Sequence, residues 1–143
     1  MSGRDSFTLD PRLAADSHLV LDGPLSQLRL VDDGRYDWLT LVPRVPGAVE
    51  WFDLEPGQQR LLSDELRAVA TALRQSAACE KINIGALGNI VRQLHVHIVA
   101  RNPGDAAWPG PVWGASSLRR RNDADRAEAL ERWSGALASF SSP

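Results

Sequence analysis

Alternating and periodic apolar positions divide the chain into strands, turns and helices. Short apolar runs bounded by turn residues predict five strands, at residues 18–22, 25–31, 38–42, 81–84 and 90–100. Asp22-Gly23-Pro24 is a hairpin signal between the first two strands. The pattern predicts mostly antiparallel pairing, with one long segment inserted between the third and fourth strands.

Helical periodicity occupies three other segments. Between residues 58 and 79, apolar side chains recur about every 3.6 residues, which predicts the main helix. A short helix is predicted near the start, with Asp10 as N-cap and Pro11 as the first helical residue. A third helix is predicted over residues 122–140, capped by Asn122 or Asp123. Together with the strands, these helices predict an α+β fold.

Size and composition fit a single domain over residues 1–143. The chain is 43% hydrophobic, and no apolar run approaches the roughly 20 residues that span a bilayer. The first residues lack the apolar core of an export signal, so we expect a cytoplasmic protein without a membrane partner. The net charge of −2 predicts no nucleic-acid partner. The single cysteine, Cys79, excludes an internal disulfide and a multi-cysteine zinc site.

Two of the three histidines lie close together in the last predicted strand. Side chains alternate between the faces of a strand, so Gln93, His95 and His97 are expected to share one face, with successive Cα atoms of this set about 7 Å apart. The opposite face carries apolar residues that suit packing beneath the main helix: Leu94, Val96 and Ile98. The strand therefore predicts a polar, imidazole-bearing surface above an apolar core.

A glycine-containing loop precedes the histidines, from Asn83 to Asn89. Glycines such as Gly88 let backbone N–H groups approach an anion, and asparagine side chains donate further hydrogen bonds. An ordinary hairpin connection is the alternative interpretation of this loop. Beside two imidazoles, the loop favours phosphate chemistry.

The segment from Gly88 to Arg101 resembles the signature of the histidine triad (HIT) superfamily, His-φ-His-φ-His-φ-φ, where φ is apolar. The resemblance covers residues 18–109 and includes the strand at 38–44, which ends in a proline and a basic residue, Pro43-Arg44. Trp108-Pro109 is similar to the tail of the nucleoside-phosphoramidase branch. The resemblance implies an antiparallel sheet of about five strands with one main helix. Residues 115–143 lie beyond the resemblance and are expected to form an additional C-terminal helical extension.

The resemblance also implies a reaction. In HIT enzymes the middle histidine, here His95, attacks the α-phosphorus of a nucleotide and forms a nucleotidyl-histidine that water or another acceptor resolves. The backbone carbonyl of the first triad residue, here Gln93, orients that imidazole. The last histidine, His97, contacts the phosphate. This chemistry implies a nucleotide hydrolase or transferase that needs no metal or cofactor.

Binding residues follow from the same resemblance. Asn83, Gly88 and Asn89 are expected to bind phosphate, and Asp32 is expected to bind the ribose hydroxyls. Asp33 lies in a similar place, and the alternative is that both acids are plain turn formers in the turn Asp32-Asp33-Gly34. Candidate walls of a base pocket are Leu28, Leu30 and Trp38. The expected partner is a nucleotide or nucleotide conjugate, and a homodimer joined edge to edge is the default assembly.

This chain departs from the family pattern at three positions. Gln93 replaces the first histidine, Arg44-Val45-Pro46 stands where a further histidine is common, and Ile90 stands where a phosphate-binding serine is common. The motif is nearest to a bacterial group with Gln-φ-His-φ-His. Because glutamine has no ionisable group, a nucleotide-binding module without useful catalysis is the second hypothesis.

A metal centre is the third hypothesis. His95 and His97 would supply two ligands of a mononuclear site, and His18 or acidic residues would have to supply the others. No spacing in the sequence designates those additional ligands.

Overall fold

Five antiparallel strands form one sheet in the computed structural model, which describes residues 6–140. The sheet order is β1-β2-β3-β5-β4. The strands are β1 (Ser17–Asp22), β2 (Ser26–Val31), β3 (Trp38–Pro43), β4 (Lys81–Gly85) and β5 (Val96–Arg101). The helices are α1 (Pro11–Asp16), α2 (Pro56–Ala77) and α3 (Asp123–Ala136), and a short 3-10 helix covers Trp51–Asp53. The predicted α+β fold with an antiparallel sheet is confirmed.

Local signals place the starts of α1 and α3 and the β1–β2 turn where the sequence predicts them, whereas α2 and α3 end at Ala77 and Ala136, before the predicted ends at 79 and 140. The Asp10 carboxylate accepts a hydrogen bond from the backbone N–H of Arg12 at 2.8 Å, which caps α1. Asn122 caps α3 in the same way, through the N–H of Asp125 at 2.8 Å. In the β1–β2 hairpin, the Gly23 N–H donates to the Ser26 carbonyl at 2.8 Å.

The main helix α2 covers one face of the sheet. Its buried residues include Leu62, Val69 and Leu73, which join the apolar side chains of β2, β3 and β5 in one core. Buried Glu65 accepts hydrogen bonds from the backbone N–H groups of Leu25 and Ser26, at 2.9 and 3.0 Å. These bonds fix the helix against the start of β2.

The last predicted strand is shorter than expected. Its pattern predicts residues 90–100, whereas β5 begins at Val96, and Ile90 is 80% exposed. Pairing explains the difference, because β3 reaches β5 only at Val96 and β4 reaches it only at His97. Residues before Val96 therefore have no adjacent strand to complete a ladder. Leu94, Val96 and Ile98 are buried in the main core, as the alternation predicts.

The C-terminal extension completes the core. α3 packs against β1, and Trp133 is fully buried among residues of the main core, together with Leu137 and Phe140. A smaller cluster on the opposite face of the sheet contains Trp38, Val99 and Val112. Within residues 6–140, no helix is long and apolar enough to cross a membrane.

Candidate active site

His95 lies immediately before β5, with its imidazole held by the backbone. Its Nδ1 is 2.7 Å from the carbonyl oxygen of Gln93, and the residue is 7% exposed. A carbonyl oxygen only accepts hydrogen bonds, so the proton of the neutral ring resides on Nδ1. The Nε2 atom consequently keeps its lone pair, as a nucleophile requires.

His97 lies two residues further along, within β5, and has the opposite tautomer. The indole Nε1 of Trp38 donates to its Nδ1 at 2.9 Å, and indole nitrogen is a donor only, so the proton of His97 is on Nε2. Burial, and secondly the adjacent His95, lower the pKa of His97 to about 3. The two rings are edge to face, with centroids 4.9 Å apart. His97 is therefore a neutral hydrogen-bond donor beside the His95 ring.

We expect Trp38→Phe to shift the tautomer equilibrium of His97 toward the ring protonated on Nδ1. One hydrogen bond contributes about 1 kcal/mol, so its loss raises the share of the Nδ1-protonated ring by roughly fivefold. The imidazole ¹⁵N shifts of His97 measure this share directly. Trp113→Phe is the matched control, because Trp113 also adjoins His97, with ring centroids 5.8 Å apart, but makes no Nε1 hydrogen bond within residues 6–140. Equal shifts in the two variants would show that Trp38 does not set the tautomer.

The Gln93 side chain holds the N-terminal segment. Its Oε1 accepts from the N–H of Asp10 at 2.8 Å, and its Nε2 donates to the carbonyl of Thr8 at 2.9 Å. Arg12 in turn donates to the Asp10 carboxylate, which lowers the pKa of Asp10, and to the carbonyl of Ile90 at 3.2 Å. Both ends of the glutamine amide are thus engaged with backbone, and residues 8–12 lie at the edge of the site.

We expect Gln93→Leu to detach this segment without disturbing His95. Two hydrogen bonds disappear, so the free energy of unfolding should fall by about 1–3 kcal/mol, whereas the backbone carbonyl that orients His95 remains. Amide hydrogen exchange of Asp10 should accelerate, and the ¹⁵N shifts of His95 should stay unchanged. Gln75→Leu, at an exposed position of α2, is the control. Unchanged exchange at Asp10 would contradict the assignment.

Only part of the predicted phosphate loop lies beside the histidines. Gly88 and Asn89 line a cavity together with His95, and Gly88 has a left-handed φ of +70° that favours glycine. Asn83 is engaged elsewhere, because its Oδ1 accepts a hydrogen bond from Arg101 at 2.8 Å. Its side chain therefore helps to anchor a buried arginine of β5.

Asp32 anchors the C-terminal extension. It is 4% exposed and accepts from the N–H of Arg121 at 3.1 Å, while His18 and Arg120 lie 3.5 Å from its carboxylate. Burial opposes ionisation, but the hydrogen bond from the Arg121 N–H, together with the nearby His18 and Arg120, outweighs it and lowers the pKa of Asp32. A ribose-binding role for Asp32 would have to compete with these partners.

An apolar cavity of about 350 Å³ opens beside both histidines. We call it the Trp38 cavity, and its apolar walls include Val31, Trp38, Val112 and Leu118. Leu28 and Leu30, the other candidates for a base pocket, are fully buried in the main core instead. Arg12 also lines this cavity, and no local pattern in the sequence indicates that position.

A second cavity, of about 430 Å³, adjoins His95 on another side. We call it the Trp51 cavity, and its lining includes Trp51, Phe52, Arg92 and Gly88. His95 lines both cavities, whereas His97 lines only the Trp38 cavity of these two. His95 thus borders both cavities.

The structure does not assemble a metal site from the described residues. Within residues 6–140, no three His, Cys, Asp or Glu side chains come together to hold a metal ion. His18, the ligand considered with His95 and His97, lies beside Asp32 instead. The metal-centre hypothesis therefore has no ligand set in this part of the chain.

A family model and several solved structures match this chain over most of its length. The family described as HIT domain matches residues 12–104. A histidine triad (HIT) protein from Sinorhizobium meliloti 1021 has a crystal structure with 45% identity and a TM-score of 0.89, over 92% of this chain and 97% of that chain.

Two further crystal structures are similar over nearly their whole length. A histidine triad protein from Marinobacter aquaeolei VT8 has 36% identity and a TM-score of 0.92, over 94% of this chain and 98% of that chain. A histidine triad protein from Bradyrhizobium japonicum has 43% identity and a TM-score of 0.86, over 95% of this chain and 98% of that chain. No curated protein sequence matches the chain.

Proposed function

This chain belongs to the HIT domain family, and on that basis we propose that it cleaves nucleoside phosphate derivatives at the α-phosphorus. The observation that carries the proposal is the hydrogen bond from His95 Nδ1 to the Gln93 carbonyl, at 2.7 Å. In the neutral ring, this bond puts the proton on Nδ1 and leaves the Nε2 lone pair as the nucleophile, at a residue that borders both cavities. The replacement of the first histidine by Gln93 preserves the carbonyl and therefore the tautomer.

The proposed reaction has two displacements. In the first, the lone pair of His95 Nε2 forms a bond to the α-phosphorus, and the bond to the leaving group breaks with its electron pair going to that group. The leaving group takes up a proton from solvent. In the second, a water oxygen bonds to phosphorus, the bond between phosphorus and His95 Nε2 breaks with its electron pair returning to Nε2, and the proton of the attacking water passes to solvent. The products are a nucleoside monophosphate and the protonated leaving group.

His97 is proposed to stabilise the charge that develops on the phosphoryl oxygens. Its Nε2–H is fixed by the bond from Trp38 to Nδ1, so the donor needs no reorientation during the reaction. A donor placed in this way contributes about 3–4 kcal/mol to lowering a barrier. Because its pKa is about 3, His97 acts through a hydrogen bond and not as an imidazolium at neutral pH.

The Trp38 cavity is proposed to hold the nucleoside. Its apolar walls suit a base. The hydroxyls of Ser17 and Thr40 in its lining are already engaged, because they donate to the carbonyls of Leu13 and Val96. Arg12 is the cation of this lining, next to where the phosphate would lie. The proposed assembly is a homodimer joined through β4, the edge strand, on which Ile84 is 51% exposed.

A nucleotide-binding module is the second candidate. The specific observation in its favour is Gln93, whose amide carries no titratable proton and is bonded at both ends to residues 8–10. The site then relies on solvent or on the leaving group itself for the proton that the leaving group requires. Binding without turnover is the outcome that this candidate predicts.

The discriminating experiment measures nucleotide release and the covalent intermediate together. Adenosine and guanosine phosphoramidates, an acyl-adenylate and a dinucleoside polyphosphate are incubated with the protein, and released monophosphate is quantified by chromatography. Intact-protein mass spectrometry after an alkaline quench should show one added nucleoside monophosphate. Calorimetric binding of a nucleotide without release would favour the binding module. If the protein neither binds nor cleaves any of these ligands, both candidates are excluded.

A further inference from the structure

Apart from Gly88 and Asn89, which belong to the predicted phosphate loop, the lining of the Trp51 cavity is unlike that of a polyphosphate site. We propose that this cavity binds the leaving group of the reaction and selects a flat aromatic group over a polyphosphate chain. This inference rests on the proposed function, since a leaving group exists only if the chain cleaves its ligand. It assigns Trp51 and Phe52 as specificity-determining residues.

Position is the first argument. His95 lines both the Trp38 cavity and the Trp51 cavity, and Gly88 and Asn89 contribute to the Trp51 cavity beside it. A substrate with its α-phosphorus at His95 and its nucleoside in the Trp38 cavity has the Trp51 cavity as an adjacent space. Its volume of about 430 Å³ is sufficient for a group of the size of an aromatic amine.

The aromatic pair is the second argument. Trp51 is 57% exposed and Phe52 is 69% exposed, although large aromatic side chains usually bury most of their area. Both lie on the 3-10 helix Trp51–Asp53, which is fixed by the Asp53 carboxylate. That carboxylate accepts from the N–H groups of Val49 and Glu50 at 3.1 and 2.8 Å.

The next residues secure the same turn. Leu54, which follows the 3-10 helix, is 3% exposed, and the Leu94 N–H beside His95 donates to the Ala48 carbonyl at 3.0 Å. The backbone that carries the aromatic pair is thus tied to the backbone that carries His95. A preorganised aromatic surface loses little conformational entropy when a ring stacks on it.

Charge is the third argument. The charged residues in the lining of the Trp51 cavity are Arg92 and Glu50, one of each sign. A polyphosphate chain requires several cationic donors to compensate its charges. A balanced lining with two exposed aromatic rings instead suits a planar group of low charge.

Two matched substrates test the inference. Adenosine 5′-phosphoramidates of 2-phenylethylamine and of propylamine have leaving groups of similar basicity, so they differ mainly in the aromatic ring. Wild type should favour the phenylethyl substrate in kcat/KM by about fivefold to tenfold. Trp51→Ala and Phe52→Ala should each lower kcat/KM for that substrate by about fivefold, and leave the propyl substrate within about twofold.

Leu19→Ala is the control, because Leu19 is a 45% exposed apolar residue on β1 outside the Trp51 cavity. If both substrates are cleaved equally in every variant, the subsite is wrong while the proposed function stands. Faster cleavage of a dinucleoside polyphosphate, unaffected by either substitution, would also overturn the inference. An altered oligomeric state by size-exclusion chromatography, with an equal loss on both substrates, would assign the pair to a contact between copies instead. No cleavage of any substrate by wild type would reject the proposed function itself.

Discussion

Removing the imidazole of His95 should lower the rate of nucleoside monophosphate release by about 10⁴-fold or more, because the nucleophile of the covalent step is lost. His95→Ala, measured at saturating substrate, tests this with the chromatographic assay. The mass increment of the covalent adduct should disappear at the same time. Nucleotide binding should change much less, since the walls of the Trp38 cavity remain.

Two controls separate chemistry from folding. His95→Gln keeps most of the side-chain volume at this buried position, so its circular dichroism and melting temperature should stay close to wild type while release is abolished. His18→Gln alters a histidine that lies beside Asp32 and outside both cavities, and its turnover should be retained. Release that persists in both His95 variants would show that another group attacks phosphorus.

Restoring the imidazole from solution sharpens the test. His95→Gly leaves a space beside the phosphate, and added imidazole should recover part of the rate in a saturable manner. Recovery identifies the missing ring as the nucleophile and argues against a purely structural role for His95. Absence of recovery in a variant with a native circular dichroism spectrum and retained nucleotide binding would count against the proposed step.

Features encoded by neighbouring residues were predictable from the sequence. Asp10 and Asn122 cap their helices through bonds two or three residues away, and the β1–β2 hairpin closes at Gly23. The alternation at residues 94–98 likewise predicts the buried face, because it depends only on the local pleat. These features need no knowledge of the rest of the fold.

Features that depend on distant partners were not predictable in the same way. The start of β5 is set by the ends of β3 and β4, so an extended sequence before Val96 stays unpaired. Gln93 is hydrogen-bonded to Asp10 and Thr8, which lie 83 and 85 positions away in the sequence. Trp38 is hydrogen-bonded to His97 across 59 positions. A polar residue type indicates that a partner exists, but tertiary packing selects it.

The largest effect on stability should come from Asp105→Asn. Arg101 is only 1% exposed, and its guanidinium donates to both carboxylate oxygens of Asp105, at 2.7 and 2.9 Å. The substitution leaves the buried cation without its counter-charge, which costs about 3–5 kcal/mol. Chemical denaturation at neutral pH measures the loss. Asp22→Asn, which breaks an exposed ion pair with Arg44, is the matched control and should cost at most about 1 kcal/mol.

The same pair also predicts a pH dependence and a rescue. The hydrogen bond from Arg101 lowers the pKa of Asp105, so its stabilisation is present above the unfolded value of about 3.9 and is lost as pH falls through the folded value. The stability difference between wild type and Asp105→Asn should therefore narrow in acid. Adding Arg101→Met should recover part of the loss, because no buried charge then remains. A pH-independent difference, with no recovery in the double variant, would contradict the electrostatic cause.

The loss of this ion pair should also weaken nucleotide binding. Arg101 donates hydrogen bonds to Asn83 and to the Gly110 carbonyl as well, so the pair holds β4 and the chain segment that leads to the wall of the Trp38 cavity.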